Sequence, residues 1–161
     1  MKKNSYVIIE TLDFKGGIKG GQANNAPDTN GIYVAFACKK KGNSYIPCRV
    51  LYIGKAEGED SIRQRIYDHY NDRDNSDSGK QSCWEKNYCN RDEVVIYSYA
   101  ECSEHIEDIE AALIRRNQPI ANIQGKDHYI GKAWFVFVKC IGQRGSLAQT
   151  NSVMRLLRVL K

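Results

Sequence analysis

Gly31-Ile32-Tyr33-Val34-Ala35-Phe36-Ala37 and Arg49-Val50-Leu51-Tyr52-Ile53-Gly54 are the two stretches on which the fold turns. Ile32–Ala37 and Arg49–Ile53 are rich in β-branched and aromatic residues and read as strands. Between them, Lys39-Lys40-Lys41-Gly42-Asn43-Ser44 has turn composition. A hairpin follows, and it delivers Tyr33 and Tyr52 onto neighbouring strands. Lys55 comes directly after the second strand.

Downstream, Ser61 and Gln64 have the spacing of a capping box and open a helix. Ile62, Ile66 and Tyr70 recur every four residues and are expected to face the core. Arg65 and His69 are also four apart, so they share a face beside that stripe. Residues 71–92 are polar and turn-rich, with Trp84 and Tyr88 embedded, and read as a long loop with room for a short helix. Glu93–Ala100 reads as a largely buried strand.

A second helix is expected from a Ser103 cap to about Asn117, stopping before Pro119. Its acids lie early (Glu104, Glu107, Asp108) and its bases late (Arg115, Arg116), which suits the helix dipole. Ile106, Ile109 and Leu113 define its apolar stripe. Glu110 lies close to that stripe, whereas Glu104, Glu107 and Asp108 are placed much further round. A carboxylate aimed at the protein costs several kcal/mol unless a cation or donor meets it. An ion pair with an arginine such as Arg65 would satisfy Glu110, and so would a metal ion.

The constellation resembles the GIY-YIG nuclease family. Gly31-Ile32-Tyr33 and Tyr52-Ile53-Gly54 match its two tripeptides, Arg65 and His69 its helical pair, and Glu110 and Asn122 its later carboxylate and amide. The match spans Gly31–Asn122. It implies a single α/β sandwich domain, 1–161, with a small, mainly antiparallel central sheet flanked by helices. It also implies a divalent-metal-dependent endonuclease. Tyr33 is the first choice as general base and Tyr52 the alternative. Arg65 and His69 contact phosphate or relay protons, Glu110 holds Mg2+ or Mn2+, and Lys55 and Asn122 meet the substrate. Because a tyrosine titrates near 10, a cation (Lys55 or the metal) must lower it. DNA is the implied partner, and RNA cutting or non-catalytic nucleic-acid binding are the alternatives. His69 stands where repair-type members carry Tyr, which brings restriction-type relatives closer. The oligomeric state is open, and a dimer is needed only if both strands are cut.

Composition sets outer bounds. Hydrophobic residues make up 42% of 161, enough for a packed core. A net charge of +5 permits nucleic-acid binding without requiring it. No apolar run approaches the ~18 residues of a membrane span. Tyr6-Val7-Ile8-Ile9 is too short for a signal-peptide core, so a cytoplasmic address with reduced thiols is expected. Cys83, Cys89, Cys102 and His105 lack the paired C-x2-C knuckle of a structural zinc site. Cys38 and Cys48 flank the hairpin and are expected to face each other across it.

Three further elements are expected at the ends. Tyr6–Thr11 is a strand, followed by a Gly-rich loop. Trp134–Val138, apolar on both faces, is a sandwiched strand. Ser146 or Thr150 begins a C-terminal helix with Val153, Leu156, Leu157 and Leu160 inward and Arg155 and Arg158 outward.

Overall fold

A computed structural model describes residues 6–155. Six strands form one mixed sheet: β1 (Val7–Ile18), β2 (Gly31–Lys41), β3 (Ser44–Ala56), β4 (Glu93–Glu101), β5 (Phe135–Gly142) and β6 (Thr150–Met154). The order is β3-β2-β4-β1-β5-β6. Among the described residues only the β1–β5 pair is parallel. Three α-helices accompany it: α1 (Ile62–Tyr70), α2 (Gln81–Tyr88) and α3 (Ile106–Asn117). The α/β class and the mainly antiparallel sheet are as expected. Among the described residues no helix is long and apolar enough to cross a membrane.

The pleat of β2 sorts the core into two layers. Ile32, Val34, Phe36 and Cys38 pack with Ile106, Ile109 and Leu113 of α3. Tyr33, Ala35 and Ala37 pack on the opposite face with Ile62 and Ile66 of α1 and Trp84 of α2. A strand paired on both edges and covered on both faces must be apolar throughout, which is how Val34–Cys38 reads. Each large side chain buried this completely contributes about 1.5–3 kcal/mol.

Several expectations are corrected. The first strand runs past Thr11 to Ile18, and the Gly-rich segment after it holds a 3-10 turn, Gly20–Asn25. In α1, Ile62 and Ile66 are buried but Tyr70 is 46% exposed. A four-residue step overshoots the 3.6-residue turn, so by Tyr70 the stripe has rotated away, and its ring lies over Gly20 and Gly21 instead. Ser61 accepts from Gln64 N as a cap, but the Gln64 side chain turns to Asp68 and leaves the box open.

In α3 the cap position is His105, in the left-handed region, and not Ser103. Cys102 still pairs its N–H with Asn30 O, which delays the helix. Cys38 lies opposite Pro47, not Cys48, because β2 and β3 slip register at Ala37/Cys38. β5 buries Val136, Val138 and Cys140 on one face only. The outer face is not sandwiched, since α1 and α2 cover the β2–β3–β4 half of the sheet. The expected C-terminal helix is absent from Thr150–Met154, which forms β6 along the β5 edge. Leu156, Leu157, Arg158, Leu160 and Lys161 lie outside the described residues.

Asp108 also departs from expectation. It is buried and accepts from Tyr6 Oη and Tyr129 Oη, each at 2.7 Å, and from the Lys132 and Ala133 amides. It ties α3 to the chain entering β5. Burial alone would raise its pKa, but these donors outweigh it and hold the carboxyl below the usual range. Asp108→Asn places an amide donor against donors and is expected to lower stability by ~2–4 kcal/mol in chemical denaturation at neutral pH. The group is depressed in the fold. Its contribution is therefore present above the unfolded carboxyl value and lost as pH falls through the folded one. The deficit of the variant should shrink in acid; an equal deficit at all pH would assign the effect to packing.

Candidate active site

Antiparallel pairing sets Tyr33 opposite Gly54 and Ala35 opposite Tyr52. The two tyrosines are therefore diagonal neighbours on one face, with ring centroids 6.3 Å apart. The pairing explains the glycine of Tyr52-Ile53-Gly54. The Tyr33 phenol lies directly across the Gly54 backbone, and a Cβ there would overlap its ring and hydroxyl.

Helix α1 supplies Arg65 and His69 from one face, as expected. His69 is fully buried, between Tyr33, Tyr52 and Trp84. Its Nδ1 meets the Gly79 carbonyl and its Nε2 lies 2.7 Å from Tyr33 Oη. A carbonyl can only accept, so in the neutral ring Nδ1 carries the proton. Nε2 must then accept, and Tyr33 donates to His69. Burial holds the imidazole below its ordinary value, against the pull of the Gly79 carbonyl. Gly79 in turn has the Asp74 carboxylate lying on its Cα, where a side chain would clash.

Tyr33, Tyr52, Lys55, Arg65 and Glu110 line a single cleft of about 440 Å³, with Glu57, Gly58 and Asp60 on its wall. Arg65 comes from the α1 face of the sheet and Glu110 from the α3 face, so the cleft wraps the edge strand β3. Tyr33 is closed off from bulk solvent but borders this space. Glu110 has no hydrogen bond or ion pair among the described residues. Burial pushes it up to about 7, against the opposing charge of Lys55. The Arg65–Glu110 ion pair is not formed: Arg65 reaches Asp74 at 3.4 Å, and Lys55 reaches Glu57 at 3.1 Å.

The structure adds detail to three site expectations. His69 does not line the cleft; it stands behind Tyr33, with Nε2 against the phenol, an arrangement compatible with the proton-relay alternative. Asn122 is buried, with Oδ1 accepting from Ile53 N and Nδ2 donating to Ile53 O, both at 2.9 Å. Its amide is engaged on the β3 edge beside Tyr52, which supports a role in positioning that strand. Neither tyrosine is lowered by the groups present. Burial, then Tyr52, carries Tyr33 well above 10, with Arg65 opposing. Burial, then Glu110, pushes Tyr52 up to about 12.

Sequence reasoning missed Asp74, Gly79, Glu57 and Asp60, and gave Trp84 no role. Trp84 is fully buried and stacks on Tyr52 with centroids 5.2 Å apart. A signal for Asp74 was present in Asp74-Asn75-Ser76, the pattern of a side-chain-closed turn. Among the described residues no three His, Cys, Asp or Glu side chains gather as a ready ligand set. Of the carboxylates that line the cleft, Glu110 is the more buried one with no hydrogen bond or ion pair among the described residues, which makes it the candidate anchor for a cation. No protein-family model matches the chain, and neither a curated protein nor a solved structure is detectably similar to it.

Proposed function

We propose that this chain is a divalent-metal-dependent endonuclease of the GIY-YIG type, acting on DNA. The observation that carries this reading is Tyr33, backed by His69 and bordering the cleft that also holds Glu110, Arg65 and Lys55. A phenol bonded to a buried neutral imidazole is arranged for proton transfer, which supports a catalytic reading over a binding module.

The donor set fits a hydrated cation. Glu110 is a half-buried carboxylate with no ion-pair partner among the described residues, and a divalent ion would relieve that cost. One carboxylate plus water suits Mg2+, which keeps much of its hydration shell. When bound, such an ion would neutralise phosphate charge and polarise the scissile ester.

The chain's own groups supply the rest. Arg65 and Lys55 offer donors to the non-bridging oxygens, and Asp74 anchors only one end of the Arg65 guanidinium. As water attacks phosphorus, its proton passes to Tyr33 Oη. The phenolic proton moves in concert to His69 Nε2, leaving an imidazolium. The P–O bond to the leaving sugar oxygen breaks, and that oxygen takes a proton from solvent. Concerted transfer fits the raised tyrosine, because a free phenolate never has to form. Tyr52 has no comparable proton acceptor among the described residues and is assigned to phosphate contact.

Supercoiled plasmid and structured RNA, each incubated with magnesium and with EDTA, test the substrate class. Nicking or linearisation of plasmid with magnesium alone is expected. Cleavage confined to RNA would move the substrate class. Tight metal-independent binding without cleavage of either would favour the binding module.

A further inference from the structure

The segment between α1 and α2 meets the candidate site through Asp74 and the Gly79 carbonyl. Asp74 divides its two carboxylate oxygens between separate tasks. Oδ1 accepts from Ser76 N and Ser76 Oγ, both at 3.0 Å, and closes the local turn. Oδ2 faces the site, 3.4 Å from Arg65 Nη2 and 4.0 Å from His69 Nδ1. The side chain is only 16% exposed. Gly79 leaves room for it, and the carbonyl of that same glycine sets the His69 tautomer. A carboxylate needed only for the turn would use Oδ1 and leave Oδ2 to solvent.

We propose that Asp74 is a positioning residue of the site, holding Arg65 toward the cleft and facing the imidazolium that His69 becomes. The proposal rests on the nuclease reading above. Arg65 has five donors in one rigid plane, so fixing Nη2 sets the direction of the others. When the Tyr33 proton reaches His69 Nε2, the new positive charge lies about one ion-pair distance from Oδ2. No proton moves to Asp74. The titratable and charged groups around His69 are Tyr33 from β2, Tyr52 from β3, Arg65 and Asp68 from α1, and Asp74. Asp74 is the carboxylate among them that also touches Arg65.

Asp74→Asn separates the two tasks. Its amide oxygen can keep both Ser76 contacts, while its NH2 takes the place of Oδ2 and confronts Arg65 with a donor. Ser76→Ala weakens the turn and leaves Oδ2 untouched. The expected result is a ~10–100-fold fall in kcat for Asp74→Asn, the scale of losing an orienting partner. KM should stay within ~3-fold of the parent, since substrate is not contacted. Ser76→Ala should keep a kcat near the parent's. In both variants and the parent, 15N relaxation of the Arg65 Nε–H reports side-chain order. Order should drop in Asp74→Asn alone.

Unchanged kcat and unchanged Arg65 order in Asp74→Asn would overturn the proposal, as would an equal loss in Ser76→Ala. A parent that cuts no nucleic acid would remove the nuclease reading. The relaxation measurement then still decides the positioning claim: loss of Arg65 order in Asp74→Asn upholds it, and retained order refutes it.

Discussion

Replacing Tyr33 by phenylalanine is expected to slow cleavage by ~10²–10⁴-fold, the scale of losing a general base. The ring stays packed between β3 and α1, and only the hydroxyl bonded to His69 Nε2 is deleted. An unpaired buried acceptor on His69 costs about 1–3 kcal/mol, so the variant should melt somewhat lower but remain folded. Tyr52→Phe should cost less, because Tyr52 has no acceptor for its proton among the described residues. Single-turnover rates and melting curves on the three proteins check this. A Tyr33→Phe protein near parental rate, beside a dead Tyr52→Phe, would exchange the roles of the two tyrosines and leave Glu110 and Arg65 where they are.

The second large effect concerns Glu110. Glu110→Gln keeps the shape of the side chain and removes the charge a cation would meet. Binding of Mn2+, followed by its paramagnetic effect on water relaxation, is expected to fall to background. The pH dependence has a definite sign. Burial raises the carboxyl to about 7, so at about pH 8 it is ionised and at about pH 6 mostly protonated. Affinity for the cation should fall as pH drops through that range. Saturating cation favours the ionised form and should carry the acid limit of cleavage to lower pH. Affinity independent of pH across this range, or unchanged by Glu110→Gln, would place the cation elsewhere.

What could be read from the sequence was what short spacing controls. Tyr33 and Tyr52 fell on one hairpin because two β-forming runs bracket a turn. Arg65 and His69 fell on one helical face because they are four apart. Glu110 stood out because a charge sat near an apolar stripe. Distant partners were not legible. Asp108 has the same helical address as an exposed acid, and only Tyr6 and Tyr129, brought in by the sheet, make it buried. Thr150–Met154 had no strand pattern strong enough to declare itself; the open edge of β5 decides its conformation. The partners of His69 and Asn122 were hidden for a related reason. Spacing set their positions, but Gly79, Tyr33 and the Ile53 backbone decide which atoms they face.

The most direct test of the central claim is a side-by-side cleavage time course. Parent and Glu110→Gln proteins are incubated with end-labelled duplex DNA, in magnesium and in EDTA. The expected result is cut product from the parent in magnesium alone, and none from Glu110→Gln in either condition. Equal cutting by the two proteins, or cutting by the parent that survives EDTA, would contradict a cation-assisted hydrolysis centred on this cleft.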